Sequence, residues 1–399
     1  MMSQSISARN KLALAIVLGL AASSIPAAQA QTFSVFHNFS GTSDGANPLN
    51  GLVTDGSGNL YGTTSSGGAS YNGVVFKIDT SGVETVLHNF NGGADGANPE
   101  GVLIRDKAGN LYGTTTAGGA SGAGTVFKVA ATGGEKVLYS FTGAADGAVP
   151  EAGLARDAAG NLYGTTTAGG ASGNGTVFKL SAPKQKGAAW TEEALYSFGT
   201  GTDGTIPVGG VALDAAGNLY GTTSAGGTFG YGTIFQLAAS GSGWTENILH
   251  DFQDGDDGAV PYAGLISDKA GNFYGAATEG GTGGGGTIFE LTPASGGWTF
   301  TVLYSNPGWG ISGAFRDVIM DPSGNLYGTT HCDGAYDAGT VYKLKPASGA
   351  WTYTSLYVFT GGSDGLYSFS NLVFEHGSIF GTTNQGGANG LGVVFEIAP

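Results

Sequence analysis

The sequence is poor in charge, in cysteine and in long apolar segments. Charged residues make up 11% of its 399 positions, against about 25% in ordinary soluble domains. The single cysteine, Cys332, excludes an internal disulfide framework and a cysteine-based zinc cluster. After residue 30, no apolar run is long enough to span a membrane, and no stretch of ten or more residues has helical apolar spacing. Transmembrane and predominantly helical folds are therefore not expected.

Basic residues are also few. Lys and Arg number 15 against 30 Asp and Glu, which gives a formal net charge of −15. Because this charge repels phosphate backbones and anionic lipid, nucleic acid is not expected as a partner. Aromatic residues (11%) and glycine (76 residues) are abundant. A chain this rich in aromatic residues is not of the disordered kind, and its glycines do not recur at every third position as in collagen.

Residues 1–30 have the pattern of a Sec signal peptide. They contain no acidic residue, carry Arg9 and Lys11, and continue with an apolar run over 12–22 and small residues up to Ala30. This run is too short for a spanning helix, which needs about 20 apolar residues. We expect cleavage after Ala30, a secreted or periplasmic location, and a mature protein with one domain over residues 31–399.

Seven repeats follow the signal peptide. The string Gly-Asn-Leu-Tyr-Gly-Thr-Thr, or a variant of it, begins at Gly58, Gly109, Gly160, Gly217, Gly271, Gly324 and Gly377. The spacings are 51, 51, 57, 54, 53 and 53 residues. Each repeat contains four short β-type runs, A to D, which are rich in β-branched and aromatic residues and are bounded by Gly, Asn, Asp or Pro.

Sheets of this kind bury their faces when they stack around an axis as a β-propeller. A parallel β-helix is the competing fold, but its coils are much shorter than these repeats and lack hairpin turns. We therefore predict an all-β, seven-bladed propeller with four-stranded antiparallel blades. The mature chain starts with a D-type run at 33–39 and stops with a C-type run at 392–397. The N-terminal strand should thus complete the last blade and remove two exposed sheet edges.

These repeats resemble the bacterial Gloeo–Verruco tandem-repeat family, the choice-of-anchor tandem repeat proteins. The resemblance rests on Gly-Asn-Leu-Tyr-Gly-Thr-Thr, on Gly-Gly before Gly-Thr-Val-Phe-Lys and on Asp-Gly-x-x-Pro, and it covers residues 33–398. It implies an exported repeat protein and offers no catalytic residues to transfer. The blades are also similar to a propeller group that includes binding modules and lactone-processing enzymes, a similarity that informs the fold and not the function.

Two acidic series recur with the repeat. One lies in the D-to-A loops and comprises Asp44, Asp95, Asp146, Asp203, Asp257 and Asp364; the other ends the A strands and comprises Asp55, Asp106, Asp157, Asp214, Asp268, Asp321 and Glu375. Because catalysis needs one asymmetric constellation, we interpret both as turn residues that accept backbone N–H groups. A cation or polyhydroxyl rim is the alternative for the loop series. No complete calcium-loop pattern is present, so no metal and no cofactor are expected.

Three histidines, His37, His88 and His250, occupy a D-strand position that is tyrosine in other repeats. At this position a flat, half-buried ring is predicted to pack between blades. These histidines are therefore interpreted as packing residues.

The sixth repeat departs from the others in both loops of one face. Its D-to-A loop lacks Asp-Gly-x-x-Pro, and its B-to-C loop reads His-Cys-Asp-Gly in place of Thr-Ala-Gly-Gly. Functional sites are where the consistency of a repeat is expected to fail. We predict a ligand-binding site formed by Trp309, Arg316, His331, Asp333, Tyr336 and Asp337. Drift of unconstrained loops is the alternative interpretation.

Two function classes fit this sequence. The first is an exported, non-catalytic, monomeric binding module for a glycan, a protein, a surface component or a small polar ligand. The alternative is an enzyme, a lyase or hydrolase, that acts on a small polar substrate at the loop face. In that case His331 would be the acid or base, Asp333 or Asp337 its partner, and Arg316 the group that holds an anion.

Overall fold

The structure, a computed structural model, describes residues 31–241, 243–308 and 315–399, without the side chains of Phe315 and Arg316. The predicted signal peptide lies outside these residues. Seven four-stranded antiparallel sheets form a seven-bladed β-propeller, which confirms the predicted fold class. The described residues contain no helix, and so none that is long and apolar enough to cross a membrane.

Blades 1 to 6 contain strands A to D in chain order, and blade 7 takes its D strand from the start of the described chain. The first four blades contain β2 (Val53–Thr54), β3 (Leu60–Thr64), β4 (Val74–Ile78) and β5 (Glu84–Asn89); β6 (Ile104–Arg105), β7 (Leu111–Thr115), β8 (Thr125–Val129) and β9 (Glu135–Ser140); β10 (Ala155–Arg156), β11 (Leu162–Thr166), β12 (Thr176–Ser181) and β13 (Thr191–Ser197); and β15 (Ala212–Leu213), β16 (Leu219–Thr223), β18 (Thr233–Ser240) and β19 (Gly243–Asp251). Two short strands, β14 (Gly204–Thr205) and β17 (Ala225–Gly226), pair with each other in the loops of blade 4.

The remaining blades follow the same order. They contain β20 (Ile266–Ser267), β21 (Phe273–Ala277), β22 (Thr287–Ala294) and β23 (Gly297–Ser305); β24 (Phe315–Met320), β25 (Leu326–Thr330), β26 (Thr340–Ala347) and β27 (Ala350–Val358); and β28 (Val373–Glu375), β29 (Ser378–Thr383) and β30 (Val393–Ala398), with β1 (Thr32–Asn38) as the D strand of blade 7.

The N-terminal strand closes the ring, as predicted. Strand β1 pairs antiparallel with β30, from Thr32 opposite Ala398 to Asn38 opposite Val393. Phe33 stacks on Tyr357 of blade 6, with ring centroids 3.7 Å apart. The strand therefore completes the sheet of blade 7 and also packs against the preceding blade.

The aspartates that end the A strands form the A-to-B turns. Asp106 accepts the N–H groups of Ala108 and Asn110, each at 2.9 Å, the Asn110 side-chain amide at 2.8 Å and the Tyr112 hydroxyl at 3.0 Å. Burial raises the pKa of Asp106, but the hydrogen bonds from Asn110 and Tyr112 outweigh it and lower the pKa. The structural interpretation of this series is confirmed. In blade 7 the equivalent Glu375 instead accepts the N–H of Gly58 in blade 1, at 2.8 Å.

Replacing Asp106 with alanine is expected to lower the free energy of unfolding by about 1–3 kcal/mol, because several donors of the turn lose their acceptor. Urea unfolding of the mature protein measures this change. Lys107→Ala, an exposed change in the same turn, is the matched control and should stay within about 0.5 kcal/mol of wild type. An equal loss in the two variants would refute the special role of the carboxylate.

The core of each blade is aromatic. A C-strand ring, Phe127 in blade 2, is fully buried and meets Phe90 of the preceding D strand edge to face at 5.1 Å. A Cβ atom at Gly113 of the B strand would lie only 2.6 Å from the Phe127 ring. The glycine of the B strand thus leaves space for the ring, which explains why Leu-Tyr-Gly-Thr-Thr keeps a glycine at its centre.

Candidate functional site

The A strands surround a cavity of about 480 Å³ on the propeller axis. Its lining residues belong to the A strands and to the segments by which the D-to-A loops enter them. The D-to-A and B-to-C loops lie side by side at this end, since Ala97 of one pairs with Ala117 of the other. The volume is within the range of about 300–1,000 Å³ that is typical of ligand pockets. The cavity therefore opens on the face predicted to bind.

One repeat position supplies a ring of side chains to this cavity. It follows the loop proline in blades 1 to 5 and Ser368 in blade 7, and its side chains in the cavity lining are Leu49, Glu100, Glu151, Val208, Tyr262 and Phe369. We call these six residues the channel mouth. The blade 6 equivalent is Phe315, whose side chain lies outside the described residues. The two carboxylates come from adjacent blades 2 and 3, whereas the two described aromatic rings come from blades 5 and 7. A sevenfold position has thus become one-sided, acidic on one flank and aromatic on the other.

The carboxyl groups of the channel mouth influence each other. Burial raises the pKa of Glu100 to about 7, and the charge of Glu151 adds to this effect. Glu151 accepts a hydrogen bond from the Thr167 hydroxyl at 3.3 Å. Near neutral pH, Glu100 can therefore either donate or accept a hydrogen bond.

Blade 6 adds a third carboxylate to the cavity. Asp317 stands where other blades have Gly51, Val102, Gly153, Gly210, Gly264 and Asn371. Its Oδ1 accepts the backbone N–H of Gly264 at 2.8 Å, so it ties the A strands of blades 5 and 6 together. Asn50 and Asn371 contribute amide groups to the same lining. No group of three or more His, Cys, Asp or Glu side chains within the described part of the chain is arranged to hold a metal ion.

The interface between blades 5 and 6 is polar where other interfaces are aromatic. Asn306 replaces the phenylalanine after the D strand, and Tyr342 replaces the phenylalanine of the C strand. The Asn306 side chain donates to Asp333 at 3.3 Å, and the Thr330 hydroxyl also donates to Asp333. Burial raises the pKa of Asp333, although these two hydrogen bonds act against the rise.

Tyr342 lies between this cluster and the cavity. Its side chain is fully buried. Burial raises the pKa of Tyr342, and the charges of Tyr353, Asp317 and Asp333 add to the rise. The charges of Asp317 at the cavity and of Asp333 near the B-to-C loop therefore both act on the buried Tyr342 hydroxyl.

The predicted residues of the sixth repeat are placed as follows. The centroid of the His331 ring lies 4.1 Å from the ring centroid of Phe369 in the channel mouth and 4.5 Å from that of Tyr367. Asp333 points inward, as described above. Tyr336 is 62% exposed, and Asp337 is exposed in a turn with φ of 53°.

None of these four residues is among those that line the cavity, but His331 packs on Phe369, which does line it. Trp309 and the side chain of Arg316 lie outside the described residues. The site prediction for the sixth repeat therefore stays a prediction.

The aspartates of the D-to-A loops are turn residues, as interpreted. Asp146 accepts the N–H of Thr142 at 2.8 Å and the Tyr139 hydroxyl at 2.9 Å. The D-strand histidines do more than pack, because each ring Nε2 lies near such an aspartate. The distances are 3.6 Å for His37 and Asp44, 3.3 Å for His88 and Asp95, and 3.0 Å for His250 and Asp257.

The channel mouth was not among the sites predicted from the sequence. Glu100, Glu151, Tyr262 and Phe369 look like variable loop residues in one sequence. The signal that could have found them is the change of side chain at a single repeat position, from acidic to aliphatic to aromatic, directly before each A strand.

The fold and the cavity define a closed propeller of tandem repeats with one asymmetric axial pocket. The model of the Gloeobacter/Verrucomicrobia repeat matches residues 24–212 and 186–315. The chain belongs to this repeat family, as its repeats indicated.

Solved structures are similar in fold. A candidate 6-phosphogluconolactonase from Bacteroides uniformis is 15% identical, with 81% of this chain and 88% of that chain covered and a TM-score of 0.54. A gluconolactonase from Xanthomonas campestris is 13% identical over 75% of this chain and 86% of that chain, with a TM-score of 0.45. At these identities the likeness concerns the fold alone. The search of curated proteins gave no match.

Proposed function

We propose that the protein is an exported binding module that holds a small hydroxylated ligand of sugar size in its channel mouth. The observation that carries the proposal is the one-sided channel mouth at an otherwise repeated position. A repeated fold gains nothing from this asymmetry, since Leu49 and Val208 fill the same position in blades 1 and 4. Specific ligands need a single asymmetric site, and repeat consistency is expected to break there.

The chemistry of the channel mouth matches a sugar ring. Tyr262 and Phe369 offer faces on which the C–H face of a sugar can pack. Glu100 and Glu151 accept hydrogen bonds from hydroxyl groups across the channel, and Asn50 can donate as well as accept. Because three carboxylates line the cavity, a neutral or amine-bearing sugar should bind better than an acidic one.

Titration of the mature protein with three probes tests the proposal. Glucosamine is expected to bind most tightly, glucose more weakly, and gluconate not measurably. Glu100→Gln should weaken glucosamine binding about tenfold or more and Tyr262→Ala up to about tenfold, because a hydrogen bond to a charged group contributes about 1.5–3 kcal/mol and an aromatic contact about 0.5–1.5 kcal/mol. Asp146→Ala is the control, because this turn residue lies outside the cavity lining.

Two further arms address the loops of the sixth repeat. Trp309→Ala and His331→Ala report whether these predicted residues take part; for His331 we expect a smaller loss than for Tyr262, because it acts through Phe369. Gluconate as the best ligand, or equal weakening in Asp146→Ala, contradicts the proposal.

The raised pKa of Glu100 beside Glu151 is the observation that favours the enzyme alternative. Chemical conversion of a bound sugar during the titration would support it.

A further inference from the structure

One D-strand position faces the preceding blade at every interface of the ring. The residue there lies opposite the same C-strand position in each blade, as in Leu237 opposite Glu246 and Leu291 opposite Phe300. It is glutamate in blades 1 to 4, as Glu84, Glu135, Glu192 and Glu246, and aromatic in blades 5 to 7, as Phe300, Tyr353 and Phe33.

The aromatic residues stack on the ring of the preceding D strand. Phe300 lies on His250 with centroids 3.8 Å apart and planes within 4°, and Tyr353 lies on Tyr304 at 4.6 Å. Phe33 stacks on Tyr357 in the same way. These three contacts, between blades 4 and 5, 5 and 6, and 6 and 7, involve no carboxyl group at this position. We call them the aromatic arc.

The glutamates instead meet a second carboxyl group. Between blades 3 and 4, the Tyr196 hydroxyl is 3.1 Å from Asp203 Oδ2 and 3.2 Å from Glu246 Oε2. One hydroxyl carries one proton, so it cannot donate fully to both carboxylates. Asp203 Oδ1 and Glu246 Oε1 are shielded from solvent and accept no hydrogen bond from the described residues. A proton on one of the two carboxyl groups satisfies both.

The same composition recurs at four consecutive interfaces. The groups that face each other are His37, Asp44 and Glu84; His88, Asp95 and Glu135; Tyr139, Asp146 and Glu192, with Glu193 nearby; and Tyr196, Asp203 and Glu246. In each glutamate, Oε1 is buried without a hydrogen bond from the described residues. We call these interfaces, from blades 7 and 1 to blades 3 and 4, the ionisable arc.

We propose that the ionisable arc is a pH-sensitive part of the ring, in which each interblade glutamate keeps a proton while the blades are packed and loosens its interface when the proton is lost. The aromatic arc stays packed because burial lowers the pKa of His250 and raises those of Tyr304, Tyr353 and Tyr357, so none of its stacked rings loses a proton between pH 6.5 and 8.5. The channel-mouth residues Glu100 and Glu151 belong to blades 2 and 3, inside the ionisable arc. Loss of the protons should therefore loosen the blades that hold them.

The direction of the pH effect follows from the glutamates. Burial, with the charge of Asp203 added, raises the pKa of Glu246 to about 7 from its ordinary value of 4.5. A raised pKa means that this contribution to stability is present below about pH 4.5 and is lost as the pH rises through about 7. Burial lowers the pKa of His37, His88 and His250 from the ordinary value of 6.5. These histidines therefore lower the stability as the pH falls, and they do so only below about pH 6.5. The range from pH 6.5 to 8.5 therefore isolates the glutamates.

Amide hydrogen exchange of the mature protein at pH 6.5 and 8.5 tests the proposal. Strands β19 and β27 are both nine-residue D strands and form the matched pair. After correction for intrinsic exchange, protection in β19 should fall about fourfold between the two pH values, because a pKa raised from 4.5 to about 7 leaves this part of the loss above pH 6.5, while protection in β27 should stay nearly constant. Equal changes in the two strands overturn the proposal.

Substitution identifies the group responsible. Glu246→Gln keeps the shape of the protonated side chain and should abolish most of the pH effect in β19. Glu246→Phe copies the aromatic arc and should do the same, so the test does not depend on one variant folding. Glu193→Gln, an exposed neighbour of Glu192, should exchange like wild type. If Glu246→Gln keeps the pH dependence of wild type, another group is responsible and the proposal is wrong.

Discussion

The propeller without its N-terminal strand is expected to aggregate and to melt far below the whole of residues 31–399. Strand β1 supplies the fourth strand of blade 7 and covers the edge of β30. Phe33, Val35 and Phe36 pack into the cores between blades 6, 7 and 1. Full burial of one such side chain contributes about 1.5–3 kcal/mol, and these three are partly buried, so together they supply a sizeable part of the net stability of about 5–15 kcal/mol of an ordinary protein. The uncovered β30 edge can also pair with another chain.

The comparison is between residues 31–399 and residues 40–399, by size-exclusion chromatography and thermal unfolding. Deletion of the exposed loop 184–187, in the C-to-D connection of blade 3, is the control and should change little. A truncated protein that stays monomeric and melts like the intact one would show that the clasp is dispensable.

Replacing Phe127 with alanine is expected to lower the free energy of unfolding by about 3–5 kcal/mol. The ring is fully buried and contacts Phe90 of the preceding blade, and its space is set by Gly113. The surrounding β-sheets cannot collapse into the void without breaking their register, so the cavity should remain.

Urea unfolding measures this loss. Phe229→Ala removes the same side chain from a loop where the ring is 50% exposed, and should change the free energy of unfolding by about 0.5 kcal/mol or less. Equal losses in the two variants would contradict the view that the repeated aromatic core holds the blades together.

The repeats made the fold predictable. Seven copies of one pattern show the same strands and turns seven times, so a substitution in one copy does not hide the pattern. The offset between a D-type start and a C-type end predicted the pairing of β1 with β30. The turn role of Asp106 and Asp146 was also predictable, because a short-range hydrogen bond depends on neighbours in sequence.

The candidate site was less predictable, because it depends on residues far apart in sequence. Glu100 and Tyr262 are separated by three repeats, and only the closure of the ring brings them to one cavity. The site predicted from the sequence lay within a single atypical repeat. The sixth repeat is unusual, but its Asp333 accepts a hydrogen bond from Asn306 of the same repeat and is not among the residues that line the cavity.

A crystal structure of residues 31–399 soaked with glucosamine tests the central claim most directly. We expect the sugar in the channel mouth, with hydroxyl or amine groups on Glu100 and Glu151 and its C–H face toward Tyr262 or Phe369. A sugar bound at the exposed loop residue Tyr336, or distributed over the repeated loop aspartates, would contradict the claim. So would an empty channel mouth at a glucosamine concentration that saturates the protein in solution.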